Sequence, residues 1–116
     1  DICNSMIKNI KKPKVLMLGI TFKENCPDIR NSKLIELNNK FKMNNITVDI
    51  YDPWVKNNSI KNLNLNLLNT IPNKESYHLI FIGVKHSIFK KMGMKTIKKM
   101  STLKSAKIYD YKGLFK

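Results

Sequence analysis

The sequence predicts an α/β domain in three layers, built on a mostly parallel sheet of about four or five strands. Three observations carry this. The runs Val15–Ile20 and Leu79–Val84 are continuously apolar, which suits strands covered on both faces and not strands with one wet face. Segments with apolar residues at helical spacing separate the strand-like runs. The resulting order, a helix followed by β-α-β-α-β-α-β, is that of parallel strands joined by right-handed crossovers.

Residues 1–12 place Ile2, Met6, Ile7 and Ile10 at helical spacing, which predicts a short helix or the tail of a longer one. Pro13 ends it, because the residue before a proline avoids the helical region. Val15–Ile20 is the first strand. A polar loop, Thr21 to Ser32, follows. Leu34, Ile35, Leu37, Phe41 and Met43 then predict an amphipathic helix over about 33–43, with Asn31 or Ser32 as N-cap and Asn44-Asn45 as its stop. The β-branched run Ile46–Tyr51 is the second strand, stopped by Asp52-Pro53. Residues 57–69 contain Ile60, Leu63, Leu65, Leu67 and Leu68 and admit a helix, although the spacing mixes two periods and Asn is a weak helix former. Tyr77–Val84 is the third strand, 86–89 a turn, 92–100 a Lys-rich helix and 106–110 a fourth strand.

The 116 residues suffice for one domain with a real core. A hydrophobic content of 42% excludes wholesale disorder, and no apolar run approaches the roughly 20 residues of a membrane span. The start, Asp1-Ile2-Cys3-Asn4, has neither an initiator Met nor a signal-peptide pattern and reads as a piece of something longer. Cys3 and Cys26 form no Cys-x-x-Cys pair and no grouping with His78 or His86. Neither a metal site nor a disulfide framework is expected, and the thiols read as reduced, in the cytoplasm. The net charge of +14 comes from 22 basic and 8 acidic residues. It admits a polyanion partner, but all the basic residues except Arg30 are Lys, and with 15 Asn the composition is that of AT-rich coding. Solvated lysine-rich faces are therefore the preferred reading over nucleic-acid binding. The lone Arg30 marks a place where a planar, forked donor is needed.

In a parallel sheet ligands bind outside the carboxyl ends of the strands. That edge should gather the loop Thr21–Arg30, the segment Tyr51–Trp54, the turn Val84–His86 and the stretch Asp110–Gly113. The first loop, Gly19-Ile20-Thr21-Phe22-Lys23-Glu24-Asn25-Cys26-Pro27-Asp28-Ile29-Arg30-Asn31-Ser32, is neither a Gly-x-Gly-x-x-Gly fingerprint nor a Walker loop. It offers an aromatic ring, an ammonium, a guanidinium and a helix start, a set that suits an anion such as a phosphorylated nucleotide or sugar.

This loop, with Asp49-Ile50-Tyr51-Asp52-Pro53-Trp54 some twenty residues later, the turn Gly83-Val84-x-His86 and the closing Tyr109-Asp110-Tyr111-Lys112-Gly113, resembles the C-terminal domain of the UDP-glucose/GDP-mannose dehydrogenase family. The wording Asn-Cys-Pro-Asp-Ile-Arg-Asn looks most like the branch acting on UDP-N-acetylhexosamines. The resemblance implies a Rossmann-like fold over 13–116, with 1–12 as the end of the preceding linker helix. It implies an NAD-dependent UDP-sugar 6-dehydrogenase that takes the sugar C6 alcohol to a carboxylate for surface polysaccharide synthesis. NAD would be bound mainly by a domain absent from this chain, and the full enzyme would be a cytoplasmic homodimer acting on neither nucleic acid nor membrane. By the same resemblance Phe22 and Lys23 contact the UDP-sugar and Arg30 reaches across to NAD. Lys112 falls where other branches place an Arg near the nucleotide. The family's catalytic cysteine lies upstream in another segment, so Cys26 is a loop residue, no catalytic residue is expected here, and the isolated chain should not catalyse.

Other residues admit two readings each. His86 is a general base or a group that caps its turn, the latter preferred. Asp52 is a ribose-binding acid or a turn former, again the latter preferred. Trp54 stacks on a ligand or packs on the sheet, His78 is structural, and Cys26 is inert or a reactive thiol beside Lys23. Asp28 and Asp110 are candidate partners for Lys23 or Arg30. A stand-alone nucleotide-binding or regulatory module and a basic nucleic-acid-binding module are the alternatives to the dehydrogenase domain.

Overall fold

The structure, a computed structural model, describes residues 2–30, 32–56, 60 and 63–115. β1 (Lys14–Leu18) lies inside the sheet, between β2 (Thr47–Tyr51) and β3 (Leu79–Ile82), with β4 (Lys107–Asp110) beyond β3. All three pairings are parallel. The continuous apolar runs have the cause expected of them, since Val15–Leu18 and Leu79–Ile82 are buried on both faces. Val15, Met17, Val48, Ile50, Leu79 and Phe81 pack under Ile7 of α1 (Ile2–Ile7) and Leu34 and Phe41 of α2 (Lys33–Met43). Leu16, Leu18, Ile80 and Ile82 pack under Phe89 and Ile97 of α3 (Ser87–Lys98). Each such side chain contributes about 1.5–3 kcal/mol by leaving water.

The bounds of α2 follow from its ends. Ser32 is the N-cap, its Oγ accepting from the Leu34 N–H at 3.3 Å. At the other end Asn45 takes φ +61°, Asn45 N–H bonds Lys42 C=O at 3.1 Å and Ile46 N–H bonds Phe41 C=O at 3.0 Å, a left-handed helix stop that asparagine tolerates. The alternative cap, Asn31, lies outside the described residues.

Three expectations need correction. The first helix stops at Ile7, well before Pro13; the Ile10 N–H bonds Ile7 C=O and Lys12 takes φ +50° to lead into β1. Residues 86–89 are not a turn before a later helix, because α3 already starts at Ser87 and is broken at Gly93, which sits at φ 80°, ψ 161°, a region open essentially to glycine alone. Residues 63–69 are not helical. Asn66–Leu68 instead run along β2, with Ile50 N–H to Asn66 C=O at 2.8 Å and Leu68 N–H to Ile50 C=O at 2.7 Å, a parallel bridge that covers that sheet edge. Of the rest of that segment, residues 57–59, 61 and 62 lie outside the described residues.

Two polar features sit inside this apolar frame. Asp49, buried on β2, accepts from the Tyr77 hydroxyl at 2.6 Å and from the Asn66 amide, with the Lys14 ammonium 3.6 Å away. Burial and then the neighbouring Asp49 push the Tyr77 phenol well above the ordinary tyrosine range. Asn38 of α2 is 0% exposed, and among the described residues neither polar atom of its side chain has a partner.

The register decides where function can sit. Leu18 faces both Tyr51 and Ile82, and Ile82 faces Asp110. All four strands therefore end level, and four loops leave the sheet at one edge.

Candidate functional site

At that edge Thr21, Phe22, Lys23 and Glu24 of the first loop, Ser32, Lys33 and Leu34 at the start of α2, Gly83, Val84 and Lys85 after β3, and Tyr111 and Lys112 after β4 line a cleft of about 570 Å³. Four of these side chains are lysines and one is an acid, so the cleft favours an anion. The first turn of α2 adds backbone N–H groups and the positive end of the helix. Aromatic surface is present too. Phe22 is 58% exposed. Tyr111 stacks on Phe81 at 5.4 Å and 29°, and the Lys112 ammonium stands 5.0 Å from the Tyr111 ring. A flat apolar ring and a multiply charged anion could both be held here.

Local bonds explain how these side chains come to the rim. The Phe22 N–H bonds Asp28 C=O at 2.7 Å and closes the first loop on itself. Ser32 Oγ donates to Ile20 C=O at 2.6 Å and ties the helix start to the strand end. Among the described residues Asp110 pairs with no lysine. Its carboxylate accepts from the N–H groups of Leu114 at 2.8 Å and Phe115 at 3.0 Å, which shapes the turn that presents Tyr111 and Lys112.

Phe22, Lys23 and Lys112 thus share one cleft, and Arg30 stands apart from it. The Arg30 side chain is 86% exposed and is held by Asp28 through Nε–Oδ1 at 3.0 Å and Nη2–Oδ2 at 3.1 Å. The hydrogen bonds from Arg30 hold the Asp28 carboxyl below its usual range, and Asp28 in turn raises the guanidinium.

The two-sided readings resolve on geometry. His86 is 0% exposed. Its Nδ1 lies 2.9 Å from the Asn25 N–H, and its Nε2 lies 3.0–3.1 Å from the Asp52 oxygens. Both nitrogens are engaged away from solvent, so the ring has no free lone pair for general-base work. Asp52 is not offered to a ribose: it accepts from Ile20 N–H at 2.8 Å and Trp54 N–H at 2.9 Å in addition to facing His86. Trp54 lies 6.0 Å from the His86 ring, half covered. His78 Nδ1 accepts from the Lys14 N–H at 3.0 Å, a structural role. Cys26 is half-buried and outside the cleft lining. Lys33, Lys85 and Tyr111 were not expected at the site. Lys85 and Tyr111 sit inside the motifs that pointed to this edge, whereas Lys33 comes to it through the start of α2. Among the described residues no group of His, Cys, Asp and Glu is arranged to hold a metal ion, and no helix is long and apolar enough to cross a membrane.

Comparison with known proteins bears on the same residues. The model of the UDP-glucose/GDP-mannose dehydrogenase family, UDP binding domain, matches residues 16–116. A UDP-N-acetyl-D-glucosamine 6-dehydrogenase of Pseudomonas aeruginosa is 38% identical over 118 residues, covering 98% of this chain and 28% of that protein. The protein of the same name from Salmonella typhi is 36% identical over 116 residues, covering 97% and 27%. Among solved structures, the UDP-N-acetyl-mannosamine dehydrogenase Cap5O from Staphylococcus aureus superposes with a TM-score of 0.75 at 25% identity, over 97% of this chain and 25% of that one. The chain spans little more than a quarter of the length of these relatives.

Proposed function

This chain belongs to the UDP-glucose/GDP-mannose dehydrogenase family through its UDP-binding domain, and from that premise we propose that it holds the nucleotide end of the substrate in an NAD-dependent UDP-sugar 6-dehydrogenase. The substrate is a UDP-N-acetylhexosamine whose C6 alcohol becomes a carboxylate, and the product feeds surface polysaccharide synthesis. The observation that supports this best is the cleft itself, four lysines and two aromatic rings at the carboxyl edge of the sheet. Phe22 lies along the uridine or sugar. Lys23 and Lys112 neutralise the diphosphate as point charges, and Lys33 and Lys85 add to the field. The segment 1–12, whose helix ends at Ile7, is the tail of the linker that precedes the domain, and 13–116 is the binding domain.

The dinucleotide is a different matter. The loop after β1 has one glycine, Gly19, where a dinucleotide cradle needs several. These residues do not fit NAD as its main site. Arg30, exposed outside the cleft and held by Asp28, is the residue we assign to reach a dinucleotide held by another domain. The working enzyme is a cytoplasmic homodimer that includes such a domain.

Calorimetry of the 116-residue chain with UDP, UDP-N-acetylglucosamine and uridine tests the reading. Binding of both diphosphates, weakened by salt and lost with uridine, is expected. Equal affinity for uridine and UDP would overturn the role given to the lysines. Salt-sensitive binding to oligonucleotides in place of UDP would favour a nucleic-acid-binding module.

A further inference from the structure

The first loop carries Phe22 and Lys23, and two residues that do not line the cleft hold it at both ends. At its start the Asp52 carboxylate accepts the Ile20 N–H at 2.8 Å. At its far side His86 Nδ1 accepts the Asn25 N–H at 2.9 Å. The hold is reciprocal. Asn25 Oδ1 accepts from the Ser87 N–H at 3.0 Å and from the Ser87 hydroxyl at 3.2 Å. It thereby caps α3, whose own N-cap residue, His86, makes no side-chain cap bond. Asn25 does this at φ +54°, a conformation asparagine adopts more readily than most residues.

The bonding fixes the proton on the ring. Nδ1 faces an N–H donor and must offer a lone pair. The proton is therefore on Nε2, directed at the Asp52 carboxylate at 3.0–3.1 Å, with the Thr21 hydroxyl oxygen 3.4 Å away. Thr21 spends its own hydrogen on Lys23 C=O at 2.8 Å. His86, Asp52 and Thr21 are all buried, so water does not compete for these bonds. We infer that His86 and Asp52, with Asn25, form a clasp that sets the Phe22–Lys23 segment in its ligand-holding form before any nucleotide arrives. They are positioning residues, and the site gains affinity because the loop need not be ordered on binding. This rests on the UDP-binding reading above.

The test separates the two ring nitrogens. In His86→Asn the carboxamide oxygen can stand where Nδ1 stood and still accept from Asn25. In His86→Gln the amide reaches the Nε2 position and Asp52 but leaves the Asn25 N–H without an acceptor. Asn25→Gly keeps the positive φ and loses the cap on Ser87. Amide exchange and UDP calorimetry are read on the 116-residue chain, along with the long-range proton–nitrogen spectrum of its histidines. We expect the Nε2–H tautomer in the native chain. We expect His86→Gln to expose the Asn25 amide and weaken UDP about tenfold, with the amides of Leu16 and Ile80 still protected. Asn25→Gly should weaken UDP similarly, and His86→Asn should stay within about threefold of native. Equal losses in His86→Gln and His86→Asn with the sheet intact would reduce His86 to a packing residue and overturn the clasp. So would a native Nδ1–H tautomer or an imidazolium, which needs no variant to detect. A native chain that binds no UDP would sink the functional reading, and the exchange and tautomer results would still decide the clasp.

Discussion

Val84 closes directly over Gly19: a Cβ built on Gly19 would stand 2.7 Å from the Val84 Cβ and 3.2 Å from its backbone nitrogen. Gly19 follows β1 and Val84 follows β3 where these neighbouring parallel strands end beside the cleft, and Gly19 holds φ +88° at this close approach. Gly19→Ala should cost about 3 kcal/mol or more, since backbone strain and a clash with the Val84 Cβ act together. Gly93, at φ +80° with nothing within 4 Å of its absent Cβ, carries strain alone. Gly93→Ala should cost about 1–3 kcal/mol. Urea unfolding of the two variants checks the order, and a smaller loss for Gly19→Ala would remove the close approach to Val84 as a constraint.

Lys23→Ala and Lys112→Ala should each weaken UDP by about tenfold, or about 1.4 kcal/mol, with little change in thermal midpoint because both side chains are exposed. Lys112→Arg should restore affinity, since the site asks for charge at that point. Calorimetry at two salt concentrations reads the effect, and the loss should shrink as salt rises. Undiminished affinity in both alanine variants would place the diphosphate elsewhere.

The unpaired amide of Asn38 predicts a gain. Its side chain is fully buried and has, among the described residues, no partner for nitrogen or oxygen, so the fold bears its desolvation without return. Asn38→Leu, which keeps the branched skeleton of four heavy atoms, should stabilise the chain by about 1–3 kcal/mol. A lower urea midpoint in this variant would mean that the amide has a bonding partner after all.

Tyr77 predicts an alkaline limit. Its phenol is raised in the folded chain, so the folded state keeps the proton that the unfolded state releases at an ordinary tyrosine pKa near 10. Stability is whole below that pH and falls as pH rises above it. Tyr51, raised by burial and then by Asp52, and Lys14, raised by Glu75 and Asp49 against its own desolvation, act with the same sign. Tyr77→Phe should therefore flatten the decline above pH 10 without abolishing it, while losing about 1–2 kcal/mol at neutral pH from the missing bond to Asp49. Melting curves at several pH values decide, and an unchanged alkaline slope would discharge Tyr77 from this role.

What could be read from the amino acids follows from how local each signal is. Val15–Leu18 and Leu79–Ile82 announce buried parallel strands by composition alone, and α2 could be bounded because Ser32 and Asn44-Asn45 cap it from within its own neighbourhood. The start of α3 was missed because its cap is Asn25, which is distant in the chain. Residues 66–68 were misjudged because their partner is Ile50, and only that pairing makes an Asn-Leu segment extended. At the site, Phe22, Lys23 and Lys112 lie in sequence motifs. Lys85 and Tyr111 lie in the same edge motifs, and Lys33, at the start of α2, joins them because the strands end level.

The ties that hold the first loop span long stretches of chain: 32 residues from Ile20 to Asp52, 61 from Asn25 to His86 and 65 from Thr21 to His86. Closing such contacts costs chain entropy until the strands between them have paired. The nucleotide cleft is thus acquired at the end of folding, and a nascent chain that stops before residue 86 holds Phe22, Lys23 and the whole of α2 without the clasp. A ligand gripped by these loops stabilises contacts that the folding transition state lacks. It should slow unfolding and leave the folding rate unaltered, a division that stopped-flow rates with and without UDP would show or refute.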